Sequence, residues 1–402
     1  MARFLAYTSP ARGHLYPIVA TLVELRRRGH EVHVRTLGSE VGALRALGLH
    51  ADRIAPAIEQ LPLDDWRWST PEEALAGGLQ TFGERSAHEV PDLERAIADV
   101  DPDVLWVDVT TVGAAAVAEA GTTPWAQWSP FFQHYALAPD ASTELTLIPF
   151  TLAPAGMDVL NGPRRRLGLP PLADPAEAWR APLFVYFTAE PFEVAGLDLP
   201  PSFRLVGPGL WEPAGEVPDG LEDLEEPLVL VTASSEFQRD AALIETALEA
   251  LRSDDIRVVL STVAHDPERF QAPANARVVR WLPHGQFIRN AACVVCHGGM
   301  GITQRALAAG VPVCVVPFGR DQAEVAARVT AAGGGTHVPL DALGPASLRT
   351  AILQAMTMRA GARRIADGFA RAGGAPAAAE ALESLLVTNG ARQAPWGIGA
   401  HR

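Results

Sequence analysis

An α/β fold of two domains is what the sequence predicts, and three observations carry it. At 402 residues the chain exceeds what a single hydrophobic core usually organises. Short apolar runs alternate with helical segments from end to end, the pattern of parallel sheets covered by helices. The stretch from His297 to Gln322 then concentrates the signal: Cys293 to Cys296 closes a buried strand, a glycine turn and the helix ITQRALAAG follow, and VPVCVVPF is a second buried strand.

Composition narrows the function classes. Hydrophobic residues make up 48% and charged residues 20%, as in globular proteins. The start MARFLAYTSP is too short and too polar for a signal peptide, and no apolar run reaches membrane-spanning length, so no membrane and a cytoplasmic location are expected. A formal charge of −14 argues against nucleic acid, which wants a basic face, yet a few backbone N–H groups can hold one nucleotide in an acidic protein. Cys293, Cys296 and Cys314 all lie in apolar strands and read as buried hydrophobes, so no disulfide or structural metal is implied.

RFLAY, residues 3 to 7, is a strand; SPARGHLYP is a loop; IVATLVELRRRG is a helix closed by a basic turn and Gly29. EVHVRT completes a βαβ opening, which the right-handed crossover rule places in a parallel sheet. His14 lies in the first loop, at the C-terminal edge of the first strand, and histidine is the natural base for a hydroxyl near neutrality. Residues 58 to 92 read as loops and helices over the cleft, with Trp66 available to line a pocket. DLERAIADV is a helix and PDVLWVDV a buried strand ending at Asp108. Asp101 and Asp103 flank Pro102 at the entrance of that strand and read as a turn, not as a metal site. Asp108, at the far end, could orient the His14 imidazole and stabilise its charged form.

TTVGAAAVAEAG is a helix and TPWAQW a strand; SPFFQHYALAP then carries Phe131, Phe132, His134 and Tyr135 past the sheet edge, a cluster that suits a large hydrophobic ligand. FVYFTAE is another buried strand, and the Pro-, Gly- and acid-rich stretch after it links the halves. The second half opens with LVLVTA and the polar turn Ser234-Ser235, continues with an amphipathic helix and the strand IRVVLSTV, and reaches Trp281-Leu282-Pro283. The helix behind the Gly298, Gly299 and Gly301 turn presents unpaired N–H groups and the positive end of its dipole, which suits a diphosphate. Asp321 and Gln322 follow the next strand at the edge where open α/β sheets bind ligands. Helices occupy 344 to 387.

His297, Gly299, Gly301, Pro312, Pro317, Asp321 and Gln322 together resemble the C-terminal signature of the GT-B glycosyltransferases that act on natural products, and Gly13-His14-Leu15-Tyr16-Pro17 resembles their acceptor loop. The resemblance implies two Rossmann-like domains: an acceptor-binding domain at 1–212, a linker at 213–226, a nucleotide-sugar-binding domain at 227–380 and a segment at 381–402 that braces the first domain. It implies that the two domains face each other across a cleft, that His14 is the base and that Asp108 is its orienter. Ser234, Ser235, His297, Gly298, Gly299, Gly301, Ile302 and Thr303 would hold the diphosphate, Trp281 and Leu282 the nucleobase, Asp321 and Gln322 the sugar, and Phe131, Phe132, His134 and Trp66 the acceptor. The co-substrates would be a nucleotide-sugar and a hydrophobic aglycone, with no cofactor and no metal, in a monomer or homodimer.

Two positions depart from that pattern. Ile302 stands where the family has a phosphate-binding Ser or Thr, which leaves Thr303 or backbone N–H groups to do that work. Arg305 stands where the family often has a Glu that accepts hydrogen bonds from both ribose hydroxyls. A thymidine diphosphate sugar lacks the 2′-hydroxyl and needs that Glu less, so the reading favours a dTDP-sugar over a UDP-sugar, transferred with inversion. A catalytically silent partner of another transferase and a nucleotide-sugar 2-epimerase are the alternatives.

Overall fold

The computed structural model describes residues 1–391 other than 69, 133–153, 174–176, 179–180, 194–198, 219–220, 222–226 and 254. The first half runs β1 (Arg3–Tyr7), α1 (Arg12–Arg27), β2 (Glu31–Thr36), α2 (Val41–Ala46), β3 (His50–Arg53), α3 (Pro56–Glu59), α4 (Pro71–Val100), β4 (Val104–Asp108), α5 (Val112–Ala120), β5 (Trp125–Ser129), α6 (Pro154–Arg166), β6 (Phe184–Tyr186) and β7 (Phe203–Leu205). The second runs β8 (Leu228–Thr232), α7 (Ala241–Ala250), β9 (Arg257–Ser261), β10 (Ala276–Val279), α8 (His284–Phe287), β11 (Ala291–Cys296), α9 (Met300–Ala308), β12 (Val313–Val315), α10 (Gln322–Ala331), β13 (Gly335–His337), α11 (Pro345–Met356), α12 (Arg359–Arg371) and α13 (Gly374–Ala391).

Each half is a parallel sheet, ordered β3-β2-β1-β4-β5-β6-β7 in the first and β10-β9-β8-β11-β12-β13 in the second. Both sheets reverse direction of growth at their centre, between β1 and β4 and between β8 and β11. At such a reversal the connections leave to opposite sides and a crevice opens outside the strand ends. Register keeps those ends level. Tyr7 pairs with Val107, and Cys296 with Thr232, so the loops after β1 and β4 share one edge, and those after β8 and β11 another. Every residue of β4 and of β8 is buried, because helices cover both faces.

Three elements differ from the sequence reading. Helix α1 starts at Arg12 and runs through Pro17, so His14 sits in its first turn instead of in a loop. A proline inside a helix removes one hydrogen bond, but Leu15, Ile18, Val19, Leu22 and Leu25 bury a continuous stripe along the same helix. Helix α4 is one 30-residue helix through Pro91, where separate loops and helices were expected. Its start is set by Thr70: the hydroxyl accepts from Glu73 N at 3.2 Å while the Glu73 carboxylate accepts from Thr70 N at 3.3 Å. The bracing helix, α13, begins at Gly374, before the expected 381. Its Ala378, Ala379, Leu382 and Leu385 join the core of the first sheet, and Glu383 binds Arg28 at 2.7 Å and His30 at 2.8 Å.

The halves also share one apolar cluster, to which Phe184 and Phe192 of the first and Val325 and Val329 of the second belong. Inside it Arg328 of α10, fully buried, donates to Glu193 at 2.9 Å, pairs with Glu324, and lies 3.9 Å over the Phe132 ring. Tyr186 donates to the second Glu193 oxygen at 2.8 Å. Among the described residues no helix is long and apolar enough to cross a membrane.

Candidate active site

His14 and Asp108 meet at the reversal of the first sheet. His14 Nδ1 lies 2.8 Å from Asp108 Oδ2; Asp108 is wholly buried, and the imidazole keeps 20% of its surface exposed. The carboxylate also accepts from Ser9 N at 3.1 Å, from Thr110 N at 2.9 Å and from the Thr110 hydroxyl at 2.8 Å. Burial pushes its pKa up, but His14 and these donors outweigh burial and hold it below the usual carboxylate value. Asp108 therefore stays ionised, fixes the tautomer with the proton on Nδ1, and leaves Nε2 to accept a proton. Thr110 is a site residue that sequence reading missed; its position two residues past Asp108 was the available signal.

An anion cradle lies at the reversal of the second sheet. Helix α9 has Gly299 as N-cap with no side-chain cap, and its first internal bond is Thr303 N to Gly299 O at 3.1 Å. The N–H groups of Met300, Gly301 and Ile302 thus have no carbonyl partner in the helix. A Cβ on Gly301 would meet nothing within 4 Å, whereas one on Gly299 would lie 2.5 Å from His297 Nε2, and Gly298 takes φ +95°. His297 is 7% exposed, its Nδ1 has no hydrogen-bond partner among the described residues, and burial lowers its pKa to about 4. A neutral imidazole beside unpaired N–H groups is a donor set for phosphate.

Two hydroxyls expected at the phosphate are placed otherwise. Thr303 is wholly buried, with its hydroxyl 3.6 Å from the Cys296 sulfur, so it cannot replace the hydroxyl missing at Ile302. Met300, Thr303, Gln304 and Leu307 lie at i, i+3, i+4 and i+7 on the buried face of α9, and that helix phase sends Thr303 inward. Ile302 packs against the shared apolar cluster. Backbone N–H groups are what remains. Ser234 is buried, its oxygen accepting from Gln238 at 2.8 Å, while Ser235 is exposed.

Asp321 and Gln322 follow β12 as expected, but they do different things. Asp321 is half-buried beside Arg320, a side-chain-bearing residue at φ +56°, and burial raises its pKa to about 6 against the pull of Arg320 and His14. Gln322 is 2% exposed. Its oxygen accepts from Phe318 N at 2.7 Å and Gly319 N at 3.2 Å, and its amide donates to Gln238 at 2.8 Å. Gln322 thereby braces the loop that carries Asp321. Gln238, which ties Ser234 to Gln322, had no signal in the sequence.

Trp281 is half-buried, its ring against Gly215, where a Cβ would come within 2.0 Å. Leu282 is buried, so only its backbone can face a ligand. On the acceptor side, Phe131 stands edge-on to His14 with ring centres 5.9 Å apart. Trp66 meets Phe237 of the second half at 4.8 Å. Phe132 corrects the expected pocket wall: it is wholly buried under Arg328 and against Phe192, with no surface left for a ligand. His134 and Tyr135 lie outside the described residues. An apolar hollow of about 410 Å³ lies between α4 and α6, lined by Leu79, Gly83, Ala155 and Val159 among others.

Among the described residues one group of side chains could hold a metal ion, Glu31, His33 and His50. They stand at the starts of β2 and β3, the opposite end of the sheet from His14, and contribute nothing to the cleft. Asp101 and Asp103 both engage Arg3, the turn the sequence indicated.

Residues 245–386 match the family described as erythromycin biosynthesis protein CIII-like, C-terminal domain. The chain is 30% identical to 4'-demethylrebeccamycin synthase of Lentzea aerocolonigenes over 96% of its own length and 100% of that protein. Among solved structures, the calicheamicin glycosyltransferase CalG4 superposes with a TM-score of 0.78 at 22% identity, covering 98% of this chain and 100% of that one. The glycosyltransferase VinC in complex with dTDP superposes with a TM-score of 0.74 at 19% identity, covering 96% of this chain and 100% of that one.

Proposed function

This chain belongs to the GT-B natural-product glycosyltransferases, and from that premise we propose that it moves a deoxyhexose from a dTDP-sugar to a hydroxyl of a hydrophobic aglycone, with inversion and without a metal. The observation that carries the reading is the pair of facing reversal sites: a His14–Asp108 dyad on one sheet and an anion cradle at α9 on the other.

The chemistry follows from those groups. His14 Nε2 takes the proton from the acceptor hydroxyl as its oxygen attacks the anomeric carbon, and Asp108 stabilises the imidazolium that forms. The bond from the anomeric carbon to the diphosphate oxygen breaks, and the departing charge falls on the N–H groups of Met300 to Ile302 and on His297. One displacement with no protein nucleophile inverts the anomeric centre, which the product's anomeric coupling by NMR checks; a retained configuration overturns that part of the reading. Phe131 and Trp66 are the described aromatic residues in position to flank an aglycone.

The donor site is tested by thermal-shift titration with TDP, UDP and GDP at equal concentrations. A ligand that binds only the folded state adds about 2.7 kcal/mol at a hundredfold excess over its Kd. TDP is expected to shift Tm most, UDP less; no shift with any of them overturns the reading.

Asp321 adds a pH dependence. With its pKa near 6 it is charged at pH 7.5 and loses that charge as pH falls through 6, whereas His297, near 4, stays neutral over the same interval. If the Asp321 carboxylate grips a sugar hydroxyl, affinity for the dTDP-sugar, whose diphosphate diester stays ionised throughout, drops between pH 7 and pH 5 in the wild-type protein and stays level in Asp321→Asn. Calorimetric titration of both proteins at the two pH values makes the comparison, and a parallel fall in both removes Asp321 from sugar recognition.

A further inference from the structure

Arg305, the departure on α9, is committed to the segment that joins the two halves. Its Nη2 donates to Trp211 O at 2.7 Å and its Nη1 to Leu210 O at 3.2 Å, and its Nε lies 3.9 Å from Glu212 Oε2. Glu212 is held from the other side as well, because its Oε1 accepts from Gly285 N at 2.7 Å, at the start of α8 just past Trp281. The same segment touches α1 near His14: a Cβ on Gly209 would lie 1.9 Å from Pro17 O, and Trp211 packs on Tyr16 with ring centres 5.0 Å apart. At its far end Gly215 lies on the Trp281 ring.

These contacts suspend one carboxylate between α9 and the Trp281 turn. A diphosphate at the N-terminus of α9 and a base at Trp281 require the nucleoside's ribose to bridge those two elements, and Glu212 bridges them too. One of its oxygens is taken by Gly285 N–H. The other has Arg305 Nε as its nearest partner among the described residues, at 3.9 Å and beyond hydrogen-bond range, and 22% of the side chain is exposed. A carboxylate oxygen in that condition accepts from a hydroxyl.

Resting on the donor-site reading above, we propose that Glu212 is the ribose-recognising carboxylate of this chain and that Arg305 is its positioning residue. The group that reads the nucleoside then comes from the interdomain segment instead of from α9. One available oxygen matches the single 3′-hydroxyl of a deoxyribonucleoside diphosphate. Because the segment also packs on Tyr16 and Pro17, a ribose held by Glu212 fixes the segment against the helix that carries His14.

Isothermal titration of the full chain with TDP, 3′-deoxy-TDP and inorganic pyrophosphate tests it. Wild-type protein is expected to bind TDP about tenfold more tightly than 3′-deoxy-TDP, the effect of one hydrogen bond to a charged group. Glu212→Ala should abolish that preference and leave pyrophosphate affinity unchanged, which also shows the variant is folded. Arg305→Ala should reduce the preference and Arg305→Lys restore part of it. If Glu212→Ala weakens all three ligands equally, or keeps the preference, Glu212 is only a strut and the proposal is overturned. Wild-type protein that binds TDP and 3′-deoxy-TDP equally overturns the Glu212 assignment alone; wild-type protein that binds none of the three overturns the donor site together with it.

Discussion

Replacing His14 by Ala lowers the transfer rate by about 10²–10⁴-fold, the range for a positioned general base, while the Kd for TDP stays at its wild-type value. The imidazole is the titratable side chain at the first sheet's reversal that keeps both an exposed edge and a buried ionised partner. Its removal leaves the acceptor hydroxyl with no group to take its proton, and water admitted to the gap is a far weaker base. The phosphate cradle stands on the other sheet and is untouched. Single-turnover rates with saturating donor, beside calorimetric TDP binding, make the comparison. Unchanged turnover would remove His14 from the chemistry; lost TDP binding would mean the substitution had disturbed more than the base.

Replacing Arg328 by Ala destabilises the folded chain by about 3–5 kcal/mol, the cost of breaking a buried ion pair by removing one partner. Its guanidinium is fully buried, bonds Glu193 of the first half and Glu324 of its own helix, and covers Phe132. Truncation strips two buried carboxylates of their shared cation and opens a void between the halves. Because Glu193 and Arg328 lie on opposite sides of the domain contact, the loss should also separate the unfolding of the two halves into distinct transitions. Urea unfolding followed by tryptophan fluorescence and by circular dichroism reads both effects. A midpoint within error of wild type would show that the apolar cluster alone holds the halves together.

Much of the site was legible because it lies where strands end. Asp108 closes an unbroken apolar run, Gly298 to Gly301 punctuate a strand and a helix, and each pattern is local to fewer than ten residues. His14 stands at the C-terminal edge of β1 as expected although its loop proved to be helix, since the first turn of α1 still sits at that edge. Helix α4 was misread because Gly77, Gly78 and Gly83 interrupt it and Pro91 reads as a stop, although Leu75, Leu79 and Phe82 stand at i, i+4 and i+7. Thr303 and Phe132 were misplaced for a different reason. Residue type suggested ligand contact for both, but helix phase turns Thr303 inward, and a cation from the other half covers Phe132.

By itself the sequence determined the strand–turn–helix units, the residue types at their C-terminal edges and the family signature, because hydrophobic period and turn chemistry act between neighbours in the chain. Only the tertiary structure decided which units sit side by side. The strand orders that reverse between β1 and β4 and between β8 and β11, the 2.8 Å approach of His14 to Asp108, and the capture of the interdomain segment by Arg305 and Gly285 join residues tens to almost a hundred positions apart. Such contacts are selected by the packing of whole sheets and helices, and no local pattern encodes them.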